Sequence, residues 1–248
     1  MKRARRAAPA GWLRLAELVL FPSFCRRCGR LLDRVGERLV CADCWAEARP
    51  IRRAGACSIC GRFLDGAGGP HVCRACIERR PAFAVHRSCG TYEGALKDII
   101  LLFKYRKLAV LGRGLAAIAG EAVGRDAELW SGVDAVIPVP LHPRRKRERG
   151  FNQSRVFAAE LGRIVNKDVR DGVLVKIRNV APQTSLEGHE RAGNVRGAYR
   201  VAKEDFVAGK ILMLVDDVYT TGATVGECAR TLIEAGAKEV RAVTIARA

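Results

Sequence analysis

Residues 212–224 read LMLVDDVYTTGAT, and this stretch decides the fold. Apolar residues typical of a buried strand run into two aspartates, a threonine cluster around a glycine, and the start of a helix. Gly222 lets the backbone approach an anion, to which the helix amides and the hydroxyls of Thr220, Thr221 and Thr224 can donate. Asp216 and Asp217 suit a neighbouring sugar diol or a divalent metal. The stretch therefore predicts a site for a ribose that carries a 5-phosphate.

Strand-like and helix-like segments alternate from residue 89 onward. Apolar spacing predicts helices at 92–103, 111–124, 154–165 and 224–236, and strands at 135–139, 173–177, 211–215 and 239–245. This alternation predicts an α/β fold whose mostly parallel sheet is flanked by helices. Ligands of such sheets bind beyond the carboxyl ends of the strands. A polar segment at 183–198, which contains Arg191 and Asn194, is interpreted as a mobile loop that could close over this edge.

Eight of the ten cysteines form four Cys-x-x-Cys pairs that begin at residues 25, 41, 57 and 73. Two such pairs supply the four thiolates of a tetrahedral zinc site, so we expect two structural Zn²⁺ ions in tandem zinc ribbons. Interleaved pairing, an iron–sulfur cluster and a disulfide framework are alternatives, the last disfavoured without a secretion signal. The predicted ligands are Cys25, Cys28, Cys41 and Cys44 for one site, and Cys57, Cys60, Cys73 and Cys76 for the other.

The chain is strongly basic, with 44 lysines and arginines against 26 acidic residues and a formal net charge of +18. A basic surface attracts nucleic acid, polyphosphorylated small molecules or anionic membranes, although a GC-rich genome also produces arginine-rich chains. The densest run is RRKRER at 144–149, which we interpret as a basic loop after a strand. Arg147 or Arg149 could bind pyrophosphate, the run could contact nucleic-acid phosphates, or it could be a solvated face.

Residues 1–21 predict a basic amphipathic lead-in helix. Arg14 and Glu17 interrupt its apolar stretch, which is too short to span a bilayer, and no Ala-x-Ala cleavage signal follows. We therefore expect a cytoplasmic protein, either free or peripheral at the inner membrane face. The expected organisation is this lead-in, a double zinc ribbon at 22–80 and a ligand-binding α/β domain at 89–248.

The stretch at 212–224 resembles the phosphoribosyl-pyrophosphate (PRPP) motif of type I phosphoribosyltransferases. In that family the acid pair holds the ribose 2- and 3-hydroxyls and the following loop holds the 5-phosphate. The resemblance implies the first role for Asp216 and Asp217, and the second for Thr220, Thr221, Gly222, Ala223 and Thr224. Tyr219 stands where the motif more often has an aliphatic residue. Mg²⁺ together with cationic side chains would stabilise the leaving diphosphate of PRPP.

Further blocks resemble the ComF family along residues 22–248. They are LLFKYRK at 101–107, VPLHPRRKRERGFNQS at 139–154 and RAGNVRGAY at 191–199, together with the cysteine pairs. That family joins a zinc-finger module to a phosphoribosyltransferase domain and is linked to natural competence, the uptake of single-stranded DNA. The resemblance implies catalytic roles for Lys104 and Arg149 beside the diphosphate, although Lys104 could instead be a snorkelling surface lysine. It also implies PRPP, single-stranded DNA and competence helicase or channel proteins as partners.

Three hypotheses for function follow. The chain could transfer ribose 5-phosphate to an acceptor that the sequence does not identify. It could instead sense PRPP or a nucleotide while its basic face and zinc ribbons handle DNA. It could also be a structural bridge that docks onto a helicase or channel protein at the membrane. Aromatic residues make up only 6% of the chain, which disfavours an autonomous platform for stacking single-stranded bases.

Overall fold

A computed structural model describes the chain at residues 20, 22–32, 39–49, 55–63, 71–106, 108–179 and 195–248. Most of the lead-in helix predicted at 1–21 lies outside the described residues. So does most of the loop predicted at 183–198, including Arg191 and Asn194.

The described elements alternate between helices and strands over most of the chain. In order they are α1 Ala42–Glu47, α2 Arg74–Glu78, β1 Val85–Thr91, α3 Gly94–Tyr105, α4 Leu111–Val123, α5 Ala127–Trp130, β2 Ala135–Pro138, α6 Pro143–Arg149, α7 Gln153–Val165, β3 Leu174–Lys176, β4 Tyr199–Val201, α8 Glu204–Val207, β5 Ile211–Tyr219, α9 Ala223–Glu234 and β6 Glu239–Arg247. None of the helices in this part of the chain is long and apolar enough to cross a membrane.

Four parallel strands form the central sheet in the order β1, β6, β5, β2. Their side chains alternate between the two faces because consecutive strand residues project to opposite sides. Leu212 and Leu214 therefore join one core, Met213 and Val215 join the other, and all four are fully buried. The predicted α/β class with a mostly parallel sheet is confirmed.

Helices cover both faces of this sheet. Helices α4 and α7 pack on each other and on one face, and α9 packs on the other. Strands β3 and β4 form a separate antiparallel pair, and α9 contacts β4. The strand predicted at 173–177 is therefore present, but it does not belong to the parallel sheet.

Strand β5 extends further than the sequence predicts. It continues beyond Val215 to Tyr219, because Asp216 lies opposite Thr244 and Tyr219 lies opposite Arg247 in the register with β6. The strand predicted at 211–215 is therefore too short: pairing with β6 holds Asp216 and Asp217 in extended backbone. The loop itself is reduced to the three residues between β5 and α9.

The basic run at 144–149 is a helix, and the prediction of a basic loop was wrong. Pro143 occupies the first turn of α6, where its missing N–H costs nothing. The backbone N–H of Arg144 donates to Nδ1 of His142 at 3.3 Å, and Gly150 ends the helix with a φ of 82°. The cations therefore project from a short helix just beyond β2.

Candidate functional site

The two aspartates of β5 lie at the carboxyl edge of the sheet and have different partners. Oδ1 of Asp217 lies 2.8 Å from Nζ of Lys104 at the end of α3, and both side chains are 13% exposed. Oδ1 of Asp216 accepts the hydroxyl of Ser154 at 2.7 Å and the backbone N–H of Asp217 at 2.9 Å. Three elements, β5, α3 and α7, therefore fix the pair.

The surroundings of Asp216 make it a weaker acid than an ordinary aspartate. Burial and the neighbouring charge of Asp217 raise the pKa of Asp216 to about 7, although the hydrogen bond from Ser154 opposes this rise. Burial alone would lower the pKa of Lys104, but the charge and hydrogen bond of Asp217 raise it above its usual value. The edge therefore carries an ionised lysine beside a carboxylate that gains or loses a proton near neutral pH.

A short loop joins β5 to α9 directly beyond these carboxylates. Gly222 adopts a φ of +80°, which L residues rarely adopt, and a Cβ there would lie 2.1 Å from the hydroxyl of Tyr219. The backbone N–H of Ala223 lies 3.4 Å from Oγ1 of Thr221, and Thr220 and Thr221 are exposed. The first amides of α9 and the threonine hydroxyls of this turn suit an anion. We call residues 220–224 the phosphate loop.

Arg149, the last residue of α6, is connected to this group of residues through Gln153 and Tyr105. Its NH1 group donates to Oε1 of Gln153 at 3.1 Å, and its guanidinium lies 5.3 Å from the ring centroid of Tyr105. Nε2 of Gln153 donates in turn to the carbonyl of Lys104 at 3.4 Å. These contacts connect α6, α7 and the end of α3, so both residues predicted as catalytic belong to one connected group. Arg144, Lys146 and Arg147 are exposed on α6.

Several residues at this site could not be assigned from sequence. Ser154 opens α7 and supplies the hydroxyl for Asp216, and Asn152 caps that helix by accepting the N–H of Ser154 at 3.1 Å. Nζ of Lys176 lies 5.1 Å from the ring centroid of Tyr199 on the β3–β4 sheet. Burial lowers the pKa of Lys176 and raises that of Tyr199, and the charge of Asp216 acts to raise both. The signal for Ser154 was its position at a helix start inside RGFNQS; Lys176 and Tyr199 give no such signal.

The eight paired cysteines gather into two clusters, which confirms the neighbouring assignment. One holds Cys25, Cys28, Cys41 and Cys44, the other Cys57, Cys60, Cys73 and Cys76, and within each the sulfurs lie within 4.8 Å of one another. The Sγ–Sγ separations are 3.9 Å for Cys25 and Cys44, and 3.6 Å for Cys60 and Cys73. Tetrahedral zinc with sulfur at about 2.3 Å requires about 3.8 Å between sulfurs. Both clusters therefore fit structural zinc.

Backbone amides favour the thiolate form in both clusters. Burial alone would raise the pKa of Cys25, but N–H donors from Cys28, Cys41 and Arg27 lower it to about 6. Amides of Cys73, Cys60 and Ile59 lower the pKa of Cys57 to about 6 against the same effect of burial. Zinc binds the thiolate, so each cluster has at least one cysteine whose thiolate form is already favoured before the metal binds.

The first cluster is attached to the face that carries α3 and α4. Arg27 donates to Glu47 at 2.5 and 2.7 Å and to Asp98 of α3 at 3.1 Å. Trp45 lies against Gly114 of α4, where a Cβ would come within 2.5 Å of the indole ring. The second cluster belongs to the core on the opposite face, with α9 and Phe83. The two clusters therefore pack on opposite sides of the sheet.

Comparison with known families accounts for both parts of the chain. Residues 17–79 match the family model described as a double zinc ribbon domain. Residues 152–248 match the model described as a phosphoribosyl transferase domain, which includes the acid pair and the phosphate loop.

Similar proteins have names that refer to competence and to DNA utilization. Competence protein F of Haemophilus influenzae is 30% identical over 178 residues, 70% of this chain and 77% of that protein. DNA utilization protein YhgH of Escherichia coli K12 is 29% identical over 175 residues, 69% and 76% of the two chains. Competence protein ComFC of Streptococcus pneumoniae is 30% identical over 162 residues, 65% and 68%. The chain therefore belongs to the ComF family of competence-related proteins, which join a double zinc ribbon to a phosphoribosyltransferase domain.

Proposed function

We propose that the chain binds PRPP together with Mg²⁺ at the carboxyl edge of the sheet. The observation that carries this proposal is the position of the acid pair between Lys104, Ser154 and the phosphate loop. Asp216 and Asp217 would accept hydrogen bonds from the ribose 2- and 3-hydroxyls. Thr220, Thr221, Gly222, Ala223 and Thr224 would hold the 5-phosphate through amides and hydroxyls.

Lys104 and Arg149 supply the positive charge that a diphosphate requires. An ammonium has three N–H donors, so Lys104 can keep Asp217 and still donate to a phosphate oxygen. The guanidinium of Arg149 can use its remaining donors in the same way, since Gln153 accepts from NH1. Mg²⁺ would neutralise the diphosphate charge, and the carboxylates of the acid pair could supply oxygen ligands to it. The bond between C1 and the diphosphate oxygen would then break, and pyrophosphate would leave with the electron pair. A nucleophilic atom of an acceptor would bond to C1 in its place and lose its proton to solvent.

We further propose that the exposed face of α6 binds the phosphates of single-stranded DNA. Arg144, Lys146 and Arg147 are exposed there, and the net charge of +18 favours a polyanion. The names of the relatives in Haemophilus influenzae and Escherichia coli agree with a role in DNA uptake or use. The proposed organisation is a lead-in at 1–21, zinc ribbons at 22–80 and the phosphoribosyltransferase-like domain at 89–248.

The decisive measurement is calorimetric titration of the full chain with PRPP and Mg²⁺. The control is the Asp216→Asn/Asp217→Asn variant, which keeps the shape of both side chains. We expect wild type to bind and the variant to bind at least tenfold more weakly, because neutral amides lose the attraction to the metal and the hydroxyls. If wild type does not bind PRPP, the transferase hypothesis and the PRPP-sensing hypothesis both fail.

Two further readouts separate enzyme, sensor and adaptor. Pyrophosphate release in the presence of candidate acceptors indicates a transferase, whereas binding without release indicates a PRPP or nucleotide sensor. Binding of a fluorescent single-stranded oligonucleotide that weakens steeply with salt supports the basic face as a DNA site. If the chain binds neither ligand, the adaptor hypothesis remains. In that case the chain would dock on a competence helicase or channel protein at the inner membrane face.

A further inference from the structure

The second cysteine cluster is linked through residues of β1 and β6 to the end of β5, the strand that leads into the phosphate loop. The carbonyl of Cys60 accepts two hydrogen bonds, one at 2.9 Å from Nδ1 of His86 in β1 and one at 2.7 Å from NH1 of Arg247 in β6. A carbonyl can only accept, so Nδ1 of His86 carries the proton and Nε2 faces Oγ1 of Thr244 at 3.0 Å. The backbone N–H of His86 also donates to the carbonyl of Ile59 at 2.7 Å.

Both donors to Cys60 also contact the ring of Tyr219. The His86 ring stacks on Tyr219 with centroids 4.1 Å apart and an interplanar angle of 27°. The guanidinium of Arg247 lies 4.6 Å from the Tyr219 centroid, and Phe83 meets the same ring edge-on at 6.3 Å. Tyr219 is only 6% exposed, so little freedom remains for its ring.

Tyr219 in turn contacts the phosphate loop. It is the last residue of β5, and its hydroxyl lies so close to Gly222 that a Cβ there would stand 2.1 Å away. Only glycine fits at that position, where the chain turns through a φ of +80° into α9. The tyrosine occupies a position where the PRPP motif more often has an aliphatic residue, which could not reach Gly222 with a hydroxyl.

The first cluster has no corresponding contact within the described residues. Its attachments run through Arg27 to Asp98 and through Trp45 to Gly114, on the helices of the opposite face. The glycine that follows the first Cys-x-x-Cys pair of each cluster shows the same contrast. A Cβ on Gly61 would lie 2.7 Å from the carbonyl of His86, whereas a Cβ on Gly29 would meet nothing within 4 Å.

We propose that Tyr219 is a positioning residue through which the second cysteine cluster, and not the first, fixes the conformation of the phosphate loop. This inference rests on the proposed function of that loop as a ribose 5-phosphate site. Displacement of the segment Cys57–Gly61 would release His86 and Arg247 from the carbonyl of Cys60. The ring of Tyr219 would then be held less firmly, and residues 220–222 would become disordered. Anion binding would weaken even though no residue that contacts the anion had changed.

The test compares Gly61→Ala with Gly29→Ala in the full chain. The two changes are matched, because each adds a methyl group to the glycine after a Cys-x-x-Cys pair, at a φ of +68° or +75°. We expect Gly61→Ala to weaken binding of ribose 5-phosphate or PRPP at least fivefold, and Gly29→Ala to leave it within twofold. Zinc content is measured by mass spectrometry in the same samples and should stay at two per chain.

A second pair of variants covers the case in which Gly61→Ala loses zinc or fails to fold. Tyr219→Leu restores the aliphatic residue of the usual motif and should weaken binding, with zinc retained. Tyr219→Phe keeps the ring between His86 and Arg247, and the ring itself also lies against Gly222, where a Cβ would stand 2.5 Å from Cζ. This variant should therefore recover most of the affinity. Equal binding by wild type and Tyr219→Leu would overturn the inference while leaving the proposed function intact.

Hydrogen exchange of the loop amides provides a readout that needs no ligand. Amides of residues 220–223 should exchange faster in Gly61→Ala and Tyr219→Leu than in wild type or Gly29→Ala. Unchanged protection in both variants would contradict the positioning role, whether or not the wild type binds PRPP. Absence of PRPP binding by wild type, together with the expected exchange pattern, would reject the proposed function alone.

Discussion

The ammonium of Lys104 lies 2.8 Å from Oδ1 of Asp217, where α3 ends against the carboxyl edge of the sheet. Both side chains are 13% exposed, so water screens this pair less than it would at the surface. Removing one partner leaves the other charge enclosed and unpaired, which costs more than the pair itself contributes. The contact therefore holds a cation beside the acid pair, and removal of either partner alone leaves an enclosed charge without its counter-ion.

We predict that Lys104→Met lowers both stability and PRPP affinity. Loss of the ammonium should cost about 2 kcal/mol of unfolding free energy, because Asp217 keeps its charge without a partner. PRPP affinity should fall about tenfold, equivalent to about 1.4 kcal/mol, because a donor to the diphosphate is lost. Urea unfolding and calorimetric titration measure the two effects separately.

The double variant Lys104→Met/Asp217→Asn is the control for this prediction. It removes both charges, so its stability should recover by about 1 kcal/mol relative to Lys104→Met alone. Its PRPP affinity should not recover, since the cation is still missing. Strictly additive stability losses would show that the 2.8 Å contact contributes nothing in solution.

The raised pKa of Asp216 predicts a stability that falls as pH increases. The folded-state pKa is about 7, above the ordinary value of 3.8, so the folded chain holds this proton more tightly than the unfolded chain. The resulting stabilisation is complete below about pH 4 and disappears as pH rises toward 7. Asp216→Asn should therefore be more stable than wild type at pH 8, by on the order of 2 kcal/mol, with no such advantage at pH 4.

Ligand binding offers a second check on Asp216. If Asp216 binds the ribose hydroxyls or Mg²⁺ as a carboxylate, PRPP affinity should increase between pH 6 and pH 8 and binding near pH 6 should release a proton. Calorimetry at pH 6.5 in two buffers of different ionisation enthalpy measures that proton directly. Ser154→Ala should move the inflection to higher pH, because the Ser154 hydroxyl stabilises the charged form.

Local patterns in the sequence predicted most of the fold correctly. A run such as ILMLV is typical of a strand buried on both faces of a parallel sheet, and apolar residues at helical spacing predict α3, α4, α7 and α9. The cysteine spacing also led to the correct partners within each cluster. These features are readable because their causes act over a few neighbouring residues.

Long-range contacts explain what the sequence could not show. The length of β5 depends on its pairing with β6, and the antiparallel partner of β3 lies more than twenty residues away. The basic run is an exception, because Pro143 and Gly150 are local end signals that could have indicated a helix. His86 gave no signal at all, because its partners Cys60 and Thr244 are distant in sequence.

Substitution of Gly114 tests whether the first zinc ribbon packs tightly on α4. A methyl group there would stand 2.5 Å from the Trp45 ring, so the ribbon or helix must shift. We expect Gly114→Ala to lose about 1–3 kcal/mol of unfolding free energy, the usual cost of overpacking. Gly226→Ala on α9 is the control, since nothing lies within 4 Å of its added methyl. It should gain about 0.5–1 kcal/mol, as alanine normally does inside a helix.

The exposed face of α6 is tested by the salt dependence of DNA binding. The variant Arg144→Ala/Lys146→Ala removes two exposed cations from this face but keeps Arg149 and its contact with Gln153. Each lost phosphate contact should reduce the slope of log affinity against log salt by about 0.7, so the pair should reduce it by about 1.4. PRPP affinity should stay within twofold, because within the described residues the partners of Asp216 and Asp217 are Ser154 and Lys104.

A charge-matched control identifies the surface responsible. Arg163→Ala/Lys238→Ala also removes two exposed cations, one in the last turn of α7 and one just before β6, at the opposite edge of the sheet from the phosphate loop. If DNA binds along the exposed face of α6, this control should leave the slope of log affinity against log salt unchanged. Its lower net charge should reduce the affinity only slightly. Equal slopes for the two double variants would mean that total charge drives binding, and the assignment of DNA to α6 would then be wrong.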